Sequence, residues 1–439
     1  MTLVLERPRA QHWTSVAVSV ARTLIDNAIW HDDRCTFYGA TPPDTLGAPP
    51  QYCSCGGDAY EGSAGIARFL ALMAARRNVP GARETALGAL RHAMAHEANT
   101  SGDISLFCGT TGTALIGREI ARAFDDASLA VEANGWLEAS AAQALAIEGG
   151  IDFLSGTAGA IAGIAAAIAE DPTLTHLTEA VLSSGDALRA IAREHEPGVD
   201  AVGGLSWPMY IGAREHLCGL AHGASGFAFA YEALGRIDPD GPWLGYAQQA
   251  RCFERGYFSL EHGSWADLRR DDDGEEPAGA ADADPSYPHM WCHGSIGIAA
   301  ERLAASAGDS AAGADAIAAM AGVERSARTL LLAPRGPGAS DALNGCICHG
   351  LSGTIDVLID AGLKSQNARW FTLASKLAEI LTDTAGEAGG NETSLSRWWR
   401  SGVPGGYPTP GLMLGKAGTG WTLMRLADPG NTPSGWRFV

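Results

Sequence analysis

The chain has 439 residues, of which 46% are hydrophobic and 18% charged, a composition typical of a folded protein with a large core. Its formal net charge of −19 at pH 7 argues against nucleic acid or an anionic membrane as partner, because phosphates are bound by clustered Lys and Arg. The N-terminal residues lack the features of a signal peptide, and no apolar stretch is long enough to span a bilayer. We therefore expect a cytoplasmic protein.

A Gly-x-x-Gly motif followed by an apolar run recurs seven times along the chain. Successive copies start 47 to 71 residues apart, which leaves room for two helices and a loop in each repeat. The copies begin at Gly62, Gly109, Gly156, Gly223, Gly294, Gly350 and Gly415. For most of them, small residues that let helix ends and loops pack closely are a sufficient explanation.

Two kinds of helix alternate between these motifs. Segments that directly follow a motif are apolar over most of their circumference and are predicted to be buried: 66–75, 160–170 and 227–234 are examples. Segments between them, such as 82–98 and 314–333, have a polar face and are predicted to be outer helices. Strand alternation is nearly absent. The pattern predicts an all-α fold: a double-layered (α/α) toroid of seven helix pairs, formed by residues 1–439 as one domain, with an open solenoid as the alternative.

Three of the motifs have a His directly before the first glycine, which a turn does not require, and two of these also carry Cys. His222 precedes Gly223, the pair Cys292-His293 precedes Gly294, and Cys348-His349 precedes Gly350. Helices that begin at equivalent turns of a toroid start at the same end, so Cys292, Cys348 and His349 are expected to converge. Two Cys and one His form the ligand set of a catalytic zinc ion with an open fourth position.

Other Cys and His residues leave alternatives open. Cys346 and His293 lie close enough in sequence to replace one of the three ligands. Cys53 and Cys55 form another Cys-x-Cys pair, but no His accompanies them, and we interpret this pair as structural.

The sequence resembles the LanC-like superfamily of lanthipeptide cyclases, and most closely the cyclase domain of the class II synthetases. The matching stretches cover nearly the whole chain in order: YEGSAGIARFLA (60–71), DFLSGTAGAIAGI (152–164), LAHGASGFAFAYEAL (220–234), ERGYFSLEHGSWADLRR (254–270), MWCHGSIGIAAERL (290–303), CHGLSGTIDVLIDAG (348–362) and TPGLMLGKAGTGWTLMRLADP (409–429). The WCHG and CHG pair is the most specific part.

The resemblance implies a set of site residues. The zinc ligands of the family fall on Cys292, Cys348 and His349, its catalytic His on His222, and its conserved Asp on Asp152. One departure concerns an Arg that stand-alone cyclases place four residues before the first zinc-binding Cys, where this chain has Pro288. Three residues could supply the missing positive charge or hydrogen-bond donor: His293, His289 and Arg269.

The resemblance also implies a reaction and partners. A zinc-activated Cys thiol of a dehydrated precursor peptide adds to dehydroalanine or dehydrobutyrine and closes a thioether ring. The chain has no phosphate-binding loop and no kinase signature, so dehydration falls to a separate dehydratase of the kinase/lyase or glutamylation type, and we expect a free-standing cyclase.

Three other functions remain as alternatives. A LanC-like protein that binds glutathione or a peptide, or acts as a scaffold without cyclising, is the main one. A protein prenyltransferase β-subunit would have a different ligand set and six-fold repetition. A carbohydrate-cleaving toroid would need two carboxylates across a cleft and would leave the Cys and His residues without a purpose.

An acidic segment lies just before Trp291. Residues 270–290 contain seven Asp and Glu together with Pro and Gly, which is typical of a solvated surface loop. We predict a flexible loop here, and a lid or a contact for a basic stretch of the substrate as a further function of it.

Overall fold

The structure is a computed structural model that describes residues 7–42, 49–100, 102–147, 149–196, 203–269, 285–305, 309–334, 343–384 and 400–438. Most of the acidic segment, residues 270–284, lies outside the described residues, and the prediction of a flexible loop or lid there stays a prediction. No helix in the described ranges combines the length and the apolar character that a membrane span requires.

Fourteen α-helices form the described part of the chain. In chain order they are α1 (Arg7–Asp26), α2 (Ser63–Arg77), α3 (Ala82–Thr100), α4 (Thr110–Phe124), α5 (Ala127–Ala144), α6 (Thr157–Glu170), α7 (Thr178–Ala190), α8 (Ala224–Ile237), α9 (Trp243–Arg255), α10 (Ser295–Ala304), α11 (Ser310–Leu332), α12 (Leu351–Ser365), α13 (Ala368–Thr384) and α14 (Lys416–Ala427). Every even-numbered helix begins directly after the first glycine of a Gly-x-x-Gly motif. The seven predicted helix pairs are therefore confirmed.

The first glycine of each motif is the N-cap of its helix. In all seven cases the amide of the next residue donates to the carbonyl seven residues earlier, as Ala224 does to Leu217 and Ser295 to Pro288. Each motif helix thus begins where a closed loop ends. A side chain does not fit at the first glycine of the motif. For example, a Cβ on Gly223 would lie 2.4 Å from the carbonyl carbon of Cys218.

Short strands fill some of the connections. They are β1 (Ile29–His31), β2 (Arg34–Thr36), β3 (Tyr38–Thr41), β4 (Gln51–Ser54), β5 (Arg193–His195), β6 (Gly204–Ser206), β7 (Phe258–Ser259) and β8 (Ser264–Trp265). Consecutive strands pair antiparallel in four two-stranded sheets. They are too short to produce a recognisable alternation of polar and apolar residues, and for this reason they were not predicted.

The chain divides into two compact units. The first unit consists of Met1–Ser140 and Ser326–Val439. Within it α14 packs against α1, α2 and α12, so the last motif helix contacts the first. The guanidinium group of Arg68 is buried there, with its carbon 4.5 Å from the ring centre of Trp421 and its Nε 2.6 Å from a carboxylate oxygen of Glu119.

The second unit is Ala141–Arg325, in which α8 packs against α6, α9 and α10. Its core contains two buried guanidinium groups. Arg251 pairs with Glu232 at 2.8 Å, Asp309 at 2.9 Å and Glu301 at 2.5 Å. Arg302 pairs with Glu254 at 2.7 Å. Because each buried charge has a partner of opposite sign, the network avoids the large penalty of an isolated buried ion. The expectation of one domain over residues 1–439 stays a prediction.

Candidate functional site

His222 and Asp152 form a hydrogen-bonded pair in the second unit. The Nδ1 atom of His222 lies 2.6 Å from Oδ2 of Asp152. Asp152 is fully buried, and its carboxylate also accepts from the amide of Ser155 at 2.6 Å. A carboxylate only accepts hydrogen bonds, so Nδ1 of His222 carries the proton in this pair. The other nitrogen, Nε2, then accepts a proton in the neutral imidazole and can deliver one in the imidazolium form.

The loop that carries His222 is residues 217–223, here named the His222 loop, and backbone bonds hold it to two neighbouring loops. The amide of Ala221 donates to the carbonyl of Cys292 at 3.3 Å. The amide of Leu154 donates to the carbonyl of Ala221 at 3.0 Å. The residues before three motif helices are thus tied together by main-chain contacts within this unit.

The three residues that could replace the missing Arg lie in different surroundings. His293 is buried beside His222, with ring centres 5.5 Å apart, and neither of its ring nitrogens has a hydrogen-bond partner among the described residues. His289 bonds to Ser295 through Nδ1 at 2.6 Å, and burial lowers its pKa below the ordinary value. Arg269 is half-exposed and pairs with Asp267. Of the three, His293 is the residue whose ring contacts His222, with the two ring planes tilted by 36°.

Cys348 and His349 lie in the loop before α12, in the first unit. The Nε2 atom of His349 lies 3.0 Å from the carbonyl oxygen of Gly402 and donates to it. This bond leaves Nδ1 as the nitrogen that can bind a metal, since a neutral imidazole has one acceptor nitrogen. Cys346 accepts the amide hydrogen of His349 through its Sγ at 3.3 Å.

One group of side chains in the described part of the chain could hold a metal ion. The ligand atoms of Cys292, Cys348 and His349 all lie within 4.8 Å of one another. In a tetrahedral zinc site, bonds of about 2.3 Å to sulfur and 2.0 Å to nitrogen place ligand atoms roughly 3.3–3.8 Å apart, so the group fits with a small adjustment. Cys346, Cys53 and Cys55 are not part of this group.

Pro288 occupies the place of the missing Arg and has a backbone function. Its carbonyl accepts the hydroxyl of Ser264 at 2.5 Å and the amide of Ser295 at 3.4 Å, which closes the loop before α10. At the end of this loop Gly294 has φ +86°, a conformation that favours glycine. The structure thus gives the loop a sharp turn where the family pattern has a cationic side chain.

Two carboxylates next to these loops were not found from the sequence: Glu254 is fully buried and Glu61 is half-buried. Glu254, on α9, accepts the amides of Gly219 and Ser225 at 2.8 and 2.9 Å. Glu61 accepts the amide of Leu414 at 2.9 Å and the hydroxyl of Thr409 at 3.0 Å. No motif marks either residue, because the amides that they bind are distant in sequence. The only signal was that Glu61 precedes a Gly-x-x-Gly motif directly.

Comparison with known proteins identifies the family. The family described as "Lanthionine synthetase C-like protein" matches residues 55–439, and the chain belongs to this family. Among solved structures, nisin cyclase is similar with a TM-score of 0.54 and 17% sequence identity, over 86% of this chain and 90% of that one. The likeness confirms the predicted fold class, a mostly helical α/α toroid. A search of the curated proteins finds no match.

Proposed function

We propose that this protein is a zinc-dependent lanthipeptide cyclase, which adds Cys thiols of a precursor peptide to dehydroalanine or dehydrobutyrine. The observation that carries the proposal is the group of Cys292, Cys348 and His349, whose ligand atoms lie within 4.8 Å of one another. Membership of the lanthionine synthetase C-like family supports a cyclase-like function at the level of the family. The zinc ion and the particular reaction are our proposal.

The donor set suits an ion that activates a thiol. In the proposed site Cys292 and Cys348 bind as thiolates and His349 binds through Nδ1, while its Nε2 stays bonded to Gly402. When bound, zinc lowers the pKa of a coordinated thiol far below its ordinary value of about 8.5 and so makes it a nucleophile at neutral pH. Two protein thiolates already balance the charge of the ion. A third, from the substrate, remains electron-rich.

His222 is the residue that we assign to proton transfer. Sulfur bonds to the β-carbon of the dehydro residue, the double-bond electrons form an enolate, and the α-carbon must then take up one proton. In the imidazolium form Nε2 of His222 can deliver this proton, while Nδ1–H stays bonded to Asp152. Asp152 stabilises the positive charge that His222 carries before delivery. His293 is the auxiliary residue whose position next to His222 suits a second hydrogen-bond donor.

The proposed partners follow from the chemistry. The proposed substrate is a peptide that already contains dehydro residues. The proposed partner is a separate dehydratase that acts before the cyclase. The cytoplasm, where thiols are kept reduced, is the compartment that we propose for both steps.

The proposal is tested with a synthetic peptide that contains one Cys and one dehydroalanine. Zinc-loaded protein is incubated with the peptide, and free thiol is counted by alkylation and mass spectrometry. We expect that the peptide loses its reactive thiol without a change in mass, because addition conserves all atoms. The zinc-free protein and buffer alone measure the uncatalysed reaction.

A cobalt-substituted sample separates catalysis from binding. Binding of the peptide thiol to the metal changes the sulfur-to-cobalt absorption bands. If those bands change but no ring forms faster than in buffer, the protein binds thiols without cyclising them, as the non-cyclising alternative predicts. If neither the bands nor the thiol count changes, the proposal is wrong.

A further inference from the structure

The carboxylate of Glu254 accepts four hydrogen bonds next to the His222 loop. Its Oε1 accepts the amide of Gly219 at 2.8 Å and the amide of Ser225 at 2.9 Å. Its Oε2 accepts the hydroxyl of Ser225 at 2.6 Å and pairs with Arg302 at 2.7 Å. The residue is fully buried on α9. All of its partners lie in the second unit.

The two amides that Glu254 binds lie three residues before and three residues after His222. One oxygen atom therefore holds both ends of the segment that presents the imidazole. Gly219, at the first end, has φ +111°, and a Cβ there would lie 3.0 Å from the carbonyl oxygen of Cys292. The segment is thus pressed against the loop before α10 on one side and fixed by Glu254 on the other.

Arg302 stabilises the buried carboxylate of Glu254 that holds the segment. A buried carboxylate is strongly unfavourable unless a positive charge and hydrogen-bond donors satisfy it. Arg302 is itself fully buried, donates to Glu254 through Nη2 and to the hydroxyl of Ser225 through Nη1 at 3.1 Å. The nearby Glu232 belongs to the same ionic network and pairs with Arg251 at 2.8 Å.

We propose that Glu254 is a positioning residue that fixes the imidazole of His222 for proton transfer by holding both ends of the segment 219–225. The inference rests on the proposed function for the role of His222. It assigns to α9, an outer helix, a direct effect on the reacting end of the molecule. Without Glu254, the segment keeps its backbone bonds and the bond from His222 to Asp152, but its two ends are no longer held by one oxygen atom. A misplacement of about 1 Å is enough to slow a reaction by a factor on the order of 10².

Glu254→Gln is the first test, and Ser225→Ala is the milder second one. In Glu254→Gln an amide NH₂ replaces one carboxylate oxygen, and this NH₂ cannot accept a hydrogen bond. The variant therefore loses either the bonds from the amides of the segment or the bond from Arg302. Ser225→Ala removes only the hydroxyl and keeps the Glu254–Arg302 pair. Glu232→Gln is the matched control, since it neutralises a buried carboxylate of the same network that pairs with Arg251.

Two readouts are needed for each zinc-loaded variant. The first is the NMR signal of the His222 ring in histidine-labelled protein, identified among twelve histidines by its loss in His222→Asn. The second is the rate of ring closure. We expect that Glu254→Gln shifts or broadens the His222 signal and lowers kcat about 10- to 100-fold with KM within about twofold. Ser225→Ala should show a smaller change of the same kind, and Glu232→Gln neither.

Two results would overturn the inference: an unchanged His222 signal in the folded variants, or an equal shift in Glu232→Gln. If Glu254→Gln does not fold, the NMR signal of His222 in Ser225→Ala tests the inference in its place. The NMR readout needs no substrate. Suppose that the wild-type protein closes no rings while Glu254→Gln still changes the His222 signal. This result would refute the proposed function and would still support the positioning of His222 by Glu254.

Discussion

Asp152 and His222 belong to loops that end 67 residues apart, at Gly156 and Gly223, yet Oδ2 and Nδ1 lie 2.6 Å apart. Both residues stand before the first glycine of a motif, four positions before it for Asp152 and one for His222. Because each motif helix starts at a closed loop of the same length, neighbouring loops bring such positions together. The pair fixes which nitrogen of His222 carries its proton in the resting site.

Replacement of either partner tests this pair. We expect His222→Asn to keep its zinc and to close rings about 10²- to 10⁴-fold more slowly, the usual contribution of a general acid. In Asp152→Asn the amide NH₂ faces Nδ1, which favours the opposite tautomer, so the rate should fall while the fold is kept. Ring closure is followed by loss of alkylatable thiol. His176→Asn, on the exposed end of a short turn, is the control and should behave as wild type. Full activity of His222→Asn would remove this residue from the mechanism.

Gly402 is predicted to control metal affinity through His349. A Cβ on Gly402 would lie 2.8 Å from Sγ of Cys346 and 3.0 Å from Cε1 of His349. Gly402→Ala should therefore displace the imidazole and lower zinc affinity by about 10- to 100-fold, the usual effect of disturbing a group that orients a metal ligand. Affinity is measured by competition with a chromogenic chelator. Gly430→Ala, where an added Cβ meets nothing within 4 Å, should leave zinc affinity unchanged. Equal affinities in both variants would contradict the assignment.

Arg251 is expected to be essential for the stability of the second unit. Arg251→Met would leave the carboxylates of Glu232, Glu301 and Asp309 without this cation, and breaking a buried ion pair in this way destabilises by about 3–5 kcal/mol. Arg255→Met removes a partly exposed pair with Asp315 and should cost about 1 kcal/mol or less. Urea unfolding of both variants measures the difference. Equal losses would mean that burial does not govern the energetics of this network.

Lys416 is expected to make the free energy of unfolding depend on pH. Burial lowers its pKa from the ordinary 10.5 to about 7. Between these values the unfolded chain holds a proton that the folded chain has lost, so this residue makes stability increase as pH rises from 7 to 10.5, by at most about 1.4 kcal/mol per pH unit. Lys416→Met lacks the effect and should be the more stable protein near pH 6, with the difference shrinking toward pH 10. Urea unfolding at a series of pH values measures it.

The control for this prediction is Lys376→Met, because Lys376 is exposed on α13. That variant should follow the pH dependence of the wild-type protein. If Lys416→Met follows it as well, Lys416 is charged in the folded protein at neutral pH.

Much of the fold could be predicted because the Gly-x-x-Gly motifs of the repeat can be recognised in the sequence. Each first glycine is dictated locally, by a closed loop that leaves no space for a side chain, and all seven helix starts were therefore readable. The repeat also placed His222 and Cys348 just before such glycines, whereas Asp152 was predicted from the family resemblance. Glu254 and Glu61 could not be found in this way, since the amides that they bind lie 29 to 353 residues away in sequence. The consequence of Pro288 was equally hidden, because its contribution is a carbonyl that any residue possesses.

The most direct test of the account is the zinc content of the purified protein, measured by inductively coupled plasma mass spectrometry beside that of Cys348→Ala. The account predicts about one zinc ion per chain in the wild type and its loss in the variant, because two thiolates and one imidazole are needed to hold a catalytic ion. No zinc in either protein, after purification without chelator and exposure to excess zinc, would contradict it.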